Sequence, residues 1–131
     1  SVNSDGMAYY PVEEISHLRL IPDLVVLRPA DINEIIGSWE YIIKNKRTVA
    51  LILSNEKINV LKHTNGKYVK YGAYIVRKEK YHLDAVIIAT GYEVTIALEI
   101  ASHLALEGVD IRVVSMPSAE LFMMQNPIYE E

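Results

Sequence analysis

The sequence predicts an α/β protein made of two consecutive βαβ pieces with mainly parallel sheets. Three observations carry that prediction. Short apolar runs rich in β-branched residues stand at 24–27, 49–53, 83–89 and 109–116. Between the members of each pair, apolar residues recur at helical spacing. Both helical stretches open on a capping pattern. Strand, helix and strand over about 30 residues form a βαβ unit, and its parallel crossover is right-handed.

Taken in order, Ser1 to Tyr10 is small and polar with an Asp5-Gly6 turn signal, and reads as a loop. Pro11 suits a first helical turn, where Glu13 and Glu14 favour the positive end. Val12, Ile15 and Leu18 give that helix a short apolar stripe, and Pro22 ends it. Leu24 to Leu27 is a strand closed by Arg28-Pro29. Asp31 caps the next helix, with Glu34 three residues on. Ile32, Ile35, Ile36, Trp39, Ile42 and Ile43 mark its apolar face, with Trp39 expected in the core. Lys44 and Lys46 suit its C-terminus, and Val49 to Leu53 is the returning strand.

Residues 54–81 read as a connector with one or two strands, among them Tyr68 to Val76, and a tight turn at Asn65-Gly66. Leu83 to Ala89 reads as a buried strand. Thr90-Gly91-Tyr92-Glu93 then matches a capping box: the Thr90 hydroxyl caps the helix and Glu93 reaches back. Val94, Ala97, Leu98, Ala101, Leu104 and Ala105 form the apolar face, and Gly108 suits a left-handed C-terminus. Val109 to Met116 is a strand, and Pro117-Ser118 opens a short helix carrying Leu121, Phe122 and Met123. A parallel unit needs cover on both faces, so the second piece is expected to be truncated or to depend on a partner.

The 131 residues are half hydrophobic with a net charge of −4, which predicts a packed core rather than disorder. With no cysteine there are no disulfides and no thiolate metal site, which fits a reducing compartment. Apolar runs fall short of the roughly 20 residues that span a bilayer, and SVNSDGMAYY lacks the basic and apolar regions expected of a signal peptide. A mildly acidic chain without a basic stripe is a poor nucleic-acid binder. His17, His63, His82 and His103 lie far apart without ligand spacing, and neither a nucleophile elbow nor a metal-binding helix is present. One glycine at Thr90-Gly91 falls short of a dinucleotide fingerprint, and capping explains the turn. Asp5 is open to two readings, a site residue or a plain turn aspartate. Tyr9-Tyr10 either lines a pocket or interface, or packs against the following helix.

Several segments together resemble transketolase. Asp5-Gly6 with Pro11-Val12-Glu13 looks like the end of a Gly-Glu-Asp-Gly-Pro-Thr-His-Gln-Pro-Val-Glu loop. Leu18-Arg19-Leu20-Ile21-Pro22-Asp23, then Arg28-Pro29-Ala30-Asp31 with Asn33-Glu34, follow the same pattern. So do Ala50-Leu51-Ile52-Leu53-Ser54, Gly72-Ala73-Tyr74-Ile75-Val76, Ala89-Thr90-Gly91 with Glu93-Val94, and Arg112-Val113-Val114-Ser115-Met116-Pro117-Ser118. Order and spacing hold across essentially the whole chain.

The resemblance implies three-layer α/β/α domains, both incomplete. Residues 1–62 are the C-terminal part of a pyrimidine-binding domain, 63–80 a connector, and 81–131 the N-terminal part of a C-terminal domain. It implies a cytoplasmic thiamine diphosphate-dependent transferase of the pentose phosphate pathway. Such an enzyme moves a two-carbon ketol unit from a ketose phosphate to an aldose phosphate. Its active sites lie at a dimer interface, with a divalent metal, Mg or Ca. The cofactor-activating glutamate and the metal-binding diphosphate site of the family precede the matched segments. No catalytic, cofactor-binding or metal residue is therefore expected here, and the chain alone is expected to be inactive.

Asp5 matches the family aspartate that contacts a substrate hydroxyl. Tyr9 replaces a channel histidine, and tyrosine cannot carry positive charge. Asn55 replaces the arginine that grips the substrate phosphate with a charged fork. Lys57, two residues on, falls on the same side of an extended segment and could return part of the charge. Sugar phosphates are the expected ligands. The expected partner is a second copy or a complementary N-terminal transketolase subunit, with neither nucleic acid nor membrane. Two alternatives stand beside this reading: a non-catalytic transketolase-like fragment or assembly subunit, and a sister enzyme such as a deoxyxylulose-phosphate synthase. Ser115-Met116-Pro117-Ser118 speaks against the latter.

Overall fold

The structure is a computed structural model, and it describes residues 14–54 and 57–126. Its elements run α1 (Glu14–Arg19), β1 (Val25–Leu27), α2 (Ile32–Lys44), β2 (Val49–Leu51), a 3-10 helix (Gly66–Tyr71), β3 (Tyr74–Arg77), β4 (Ala85–Ala89), α3 (Glu93–Leu106), β5 (Ile111–Ser115) and α4 (Ala119–Met123). Both predicted βαβ pieces are present. Strands β1 and β2 pair in parallel around α2, with Val26 opposite Ala50. Strands β4 and β5 pair in parallel around α3, with Ile87 opposite Val113. The second sheet has the order β3-β5-β4, and β3 joins it antiparallel.

Two apolar clusters lie under these sheets. One gathers Val25, Leu27, Tyr41, Val69 and Leu121; the other gathers Ala30, Tyr74, Val76, Val94, Ala97, Ala101, Ile111 and Val113. Burial of a side chain such as Leu27 contributes about 1.5–3 kcal/mol, which is what holds so short a strand as β1 in place. Alternation in β5 turns Ile111, Val113 and Ser115 inward. In β3 it turns Tyr74 and Val76 inward and leaves Ile75 exposed.

Helix α2 is capped by Asp31 as expected, its carboxylate accepting from the Glu34 N–H. Its buried face, however, is Glu34, Gly37, Ser38 and Tyr41. The isoleucine stripe is split: Ile35 and Ile42 are half-buried, Ile42 against the first cluster, while Ile32, Ile36, Trp39 and Ile43 are exposed, with Trp39 at 52%. The expectation that Trp39 is core is therefore corrected. The reason is a backbone seam. Gly37 lies so close to Gly66, at the start of the 3-10 helix, that a Cβ on either would meet the other's backbone within 3.0 Å. Only glycine permits that approach at the point of contact, so the face that carries Gly37 is the one buried.

Other local readings change for equally local reasons. Residues 66–71 form a 3-10 helix capped by Asn65, not a tight turn leading into a strand that starts at Tyr68. Strand β2 ends at Leu51 rather than Leu53. Val86 and Ile88 of β4 are exposed, because alternation puts them on the face opposite Ile87 and Ala89, which pack against the core cluster. The Thr90 capping box does not form. Gly91 takes φ +60, and α3 starts at Glu93 with Tyr92 at the cap and no side-chain cap bond. The Thr90 hydroxyl is buried without a hydrogen-bond partner. The Glu93 carboxylate lies 3.6 Å from the Arg28 guanidinium instead of reaching back to the cap. Gly108 has φ +85, as its place after α3 predicts. In α4, Ser118 caps by accepting from the Leu121 N–H.

Candidate functional site

Asp5, Tyr9 and Asn55 lie outside the described residues. Lys57 is exposed in the segment that follows β2. What the structure does bring together is a buried polar cluster, built on the capping residues of α2.

Asp31 is extended at φ −154, as a cap requires, and its Oδ1 accepts from Glu34 N at 3.2 Å. Its Oδ2 accepts from Thr64 Oγ1 at 2.6 Å, from Leu61 N at 2.9 Å and from Asn33 Nδ2 at 3.3 Å. One carboxylate thus fastens the segment 61–64 to the start of α2. Glu34 is expected from the pattern to satisfy the cap's own N–H. It accepts from Ala30 N, one residue earlier, at 2.7 Å. Its other oxygen accepts from the Tyr74 hydroxyl at 2.7 Å and from the Ser115 hydroxyl at 2.6 Å. Tyr74 and Ser115 arrive there because they are inward residues of β3 and β5. The Tyr74 oxygen in turn accepts from Asn65 N at 3.0 Å.

Asp31 and Glu34 are 1% and 0% exposed, and the partners just named are neutral donors. Burying a carboxylate without a cation is costly, and each buried hydrogen bond to a charged group returns only about 1.5–3 kcal/mol. Burial accordingly pushes the Glu34 carboxyl up from its ordinary value, its three hydrogen bonds pull it back, and the Asp31 charge adds a smaller upward push. Burial and the Glu34 charge together push the Tyr74 phenol up. A cluster this closed to solvent receives no substrate. What it can do is hold a proton and fasten α2 to the sheet.

Beside it lies an open cleft of about 250 Å³ lined by Asn33, Ile36, Gly37, Glu40, Asn65 and Lys67. Of its two amides, Asn33 donates to Thr64 Oγ1 at 3.0 Å and Asn65 accepts from Lys67 N at 3.0 Å. Among the described residues no group of three or more His, Cys, Asp or Glu could hold a metal ion. His82 meets one Asp84 oxygen at 2.8 Å, and the other Asp84 oxygen accepts from Asp110 N at 2.6 Å. Among the described residues no helix is long and apolar enough to cross a membrane.

In the sequence Asp31 and Glu34 read as capping residues, and no local pattern marks the cluster. Tyr74 and Ser115 stand 40 and 81 residues from Glu34. The only advance sign was strand phase, which turns both side chains inward.

Comparison with known proteins bears on the whole chain. Residues 1–60 match the family model of the transketolase pyrimidine-binding domain, and residues 72–131 that of the transketolase-like C-terminal domain. The chain is 39% identical over 132 residues to a probable transketolase of Streptococcus pneumoniae, covering 100% of this chain and 20% of that protein. It is 37% identical to the transketolase of Bacillus subtilis, covering 99% and 20%. The solved transketolase of Leishmania mexicana superposes with a TM-score of 0.88 at 36% identity, over 95% of this chain and 18% of that one. The chain thus spans about a fifth of the length of the relatives it matches. Two family models in series and a close superposition on solved members agree: the chain belongs to the transketolase family.

Proposed function

We propose that this chain is part of a thiamine diphosphate-dependent transferase that moves a two-carbon ketol unit from a ketose phosphate to an aldose phosphate. The observation that supports this best is the ordered match of the two family models along one chain. Residues 1–62 are read as the end of the pyrimidine-binding domain, 63–80 as the connector and 81–131 as the start of the C-terminal domain. Transketolase of Pichia stipitis, with a TM-score of 0.88 at 28% identity, has been solved with fructose 6-phosphate and with sedoheptulose 7-phosphate. That supports sugar phosphates as the ligands of the complete enzyme; its place in the pentose phosphate pathway, in the cytoplasm, belongs to the same proposal.

Thiamine diphosphate, with Mg or Ca, supplies carbanion chemistry when bound. The described residues offer no ligand set for that metal, so no step is assigned to them through it. The share of this chain is placement. Asp5 takes a substrate hydroxyl, Tyr9 lines the channel, and Asn55 and Lys57 face the phosphate end. A second copy, or a complementary N-terminal transketolase subunit, completes the site. The replacements at Tyr9 and Asn55 favour one other reading, a non-catalytic assembly subunit. Losing charged contacts to a phosphate costs about 1.5–3 kcal/mol each.

The test is to purify this chain together with an N-terminal transketolase polypeptide, thiamine diphosphate and magnesium, and to assay ketol transfer. Turnover rejects the assembly-only reading. Failure of the assembled pair to bind the cofactor rejects the enzyme reading. In an active assembly, Asn55→Arg should lower the KM for phosphorylated sugars, and an unchanged KM removes Asn55 from the phosphate end.

A further inference from the structure

The buried cluster at α2 has a property that the family assignment does not supply. Glu34 is wholly enclosed between three parts of the chain: the turn before α2, strand β3 and strand β5. Its donors are the Ala30 N–H, the Tyr74 hydroxyl and the Ser115 hydroxyl. The Tyr74 proton is committed to it, because the Tyr74 oxygen already accepts from Asn65 N. Two ionisable groups face it, Tyr74 from β3 and Asp31 from its own cap. Ser115, from β5, is neutral. Among the described residues no lysine, arginine or histidine takes part in its contacts. An anion is thus enclosed beside a second, equally buried carboxylate, with neutral donors only.

We infer that Glu34 makes the junction between α2 and the β3–β5 sheet a proton-sensitive fastening, tightest with the carboxyl protonated and looser once it is charged. A proton on Glu34 keeps all three contacts and displaces one hydrogen, that of the Ser115 hydroxyl. Ser115 Oγ, 2.6 Å away, has lone pairs to receive it, so that one bond reverses its direction while Tyr74 and Ala30 go on donating. A charge on Glu34 must be carried without a cation in a site with no water-facing surface. The upward push of burial on this carboxyl has the same sign.

The linkage runs opposite to ordinary acid denaturation. The folded chain holds the Glu34 proton more tightly than the unfolded chain does. The stabilisation is therefore fully present below 4.5 and declines as pH rises from 4.5 through the higher folded-state midpoint. Each pH unit between the two lowers the folding equilibrium constant by up to about tenfold.

Three measurements on the full chain test this. The Glu34 side-chain carboxyl carbon, followed by NMR against pH, should titrate with a midpoint above 4.5; a midpoint at or below that value overturns the inference. Urea unfolding across the same pH range should show a decline in wild type that Glu34→Gln lacks, and parallel pH profiles would overturn it too. Should Glu34→Gln not fold, the carbon titration on wild type decides alone. Amide exchange, corrected for its intrinsic pH dependence, separates a local fastening from overall stability. Protection at Ala30 and Asn65 should fall as Glu34 charges while that of α3 holds. Equal loss across α3 would reject the local fastening.

Discussion

Replacing Gly37 by alanine pits two rules against each other. Gly37 lies inside α2, where alanine is intrinsically better than glycine by about 1 kcal/mol. The seam with Gly66 opposes it. A Cβ at Gly37 would stand 2.2 Å from the Gly66 carbonyl oxygen, 2.4 Å from its Cα and 2.6 Å from its carbonyl carbon. Comfortable contact between such atoms begins near 3.5 Å, so the backbones must part by about an ångström. These are backbone atoms that no rotamer change can move aside. Parting them stretches the bonds that cross the seam, Asp31 to Thr64 and to Leu61, and Asn33 to Thr64. Overpacking costs about 1–3 kcal/mol and each lost hydrogen bond about 1 kcal/mol. Less the helical gain, Gly37→Ala should destabilise the chain by about 2–4 kcal/mol. That corresponds to a Tm drop of roughly 10 °C. Urea unfolding should show an earlier midpoint with an unchanged slope. Gly108→Ala is the comparison: at φ +85 with nothing within 4 Å, it carries only the left-handed backbone cost of about 1–2 kcal/mol. A Gly37→Ala protein as stable as wild type, or no worse than Gly108→Ala, refutes the seam.

Thr90→Val should leave stability unchanged or raise it slightly, because the hydroxyl it removes is buried without a partner. A loss near 1 kcal/mol in thermal unfolding would instead restore the capping role. Leu27→Ala should cost about 2–5 kcal/mol by urea titration, since the side chain is 0% exposed. Glu79 faces the Arg112 guanidinium in a forked contact, and that hydrogen-bonded pairing lowers its carboxyl to about 2. Its contribution is present above 4.5 and lost as pH falls from 4.5 toward 2, so Glu79→Gln should flatten the acid limb of the stability profile there. An unchanged acid limb would show that the pair adds nothing to folding.

Local chemistry made much of the fold legible. Asp31 and Ser118 cap their helices by contacts three residues long, and Gly108 follows its helix with the expected sign of φ. Thr90 does not cap because the S/T-x-x-E pattern here contains a glycine free to leave the helical region. Gly91 turns to φ +60 and delays the helix until Glu93. The face of α2 failed for a longer-range reason. Periodicity locates an apolar stripe but does not say whether that stripe or the glycine-bearing one meets the rest of the chain. Gly66, 29 positions beyond Gly37, made that choice. The same limit hid the Glu34 cluster, whose two sheet partners have no local signature. Of the expected site residues, Lys57 is exposed, and Asp5, Tyr9 and Asn55 fall outside the described residues.

The outward turn of α2 has a spectroscopic consequence. The chain has one tryptophan, and it stands on the uncovered face. Its emission should therefore change little when the chain folds by itself, and a denaturation curve recorded at that wavelength would understate the transition. The same indole is well placed to report a different event. Any macromolecule that covers Ile32, Ile36 and Ile43 must also desolvate Trp39, shifting its emission to the blue and shielding it from soluble quenchers. One fluorophore thus distinguishes folding of this chain from its association.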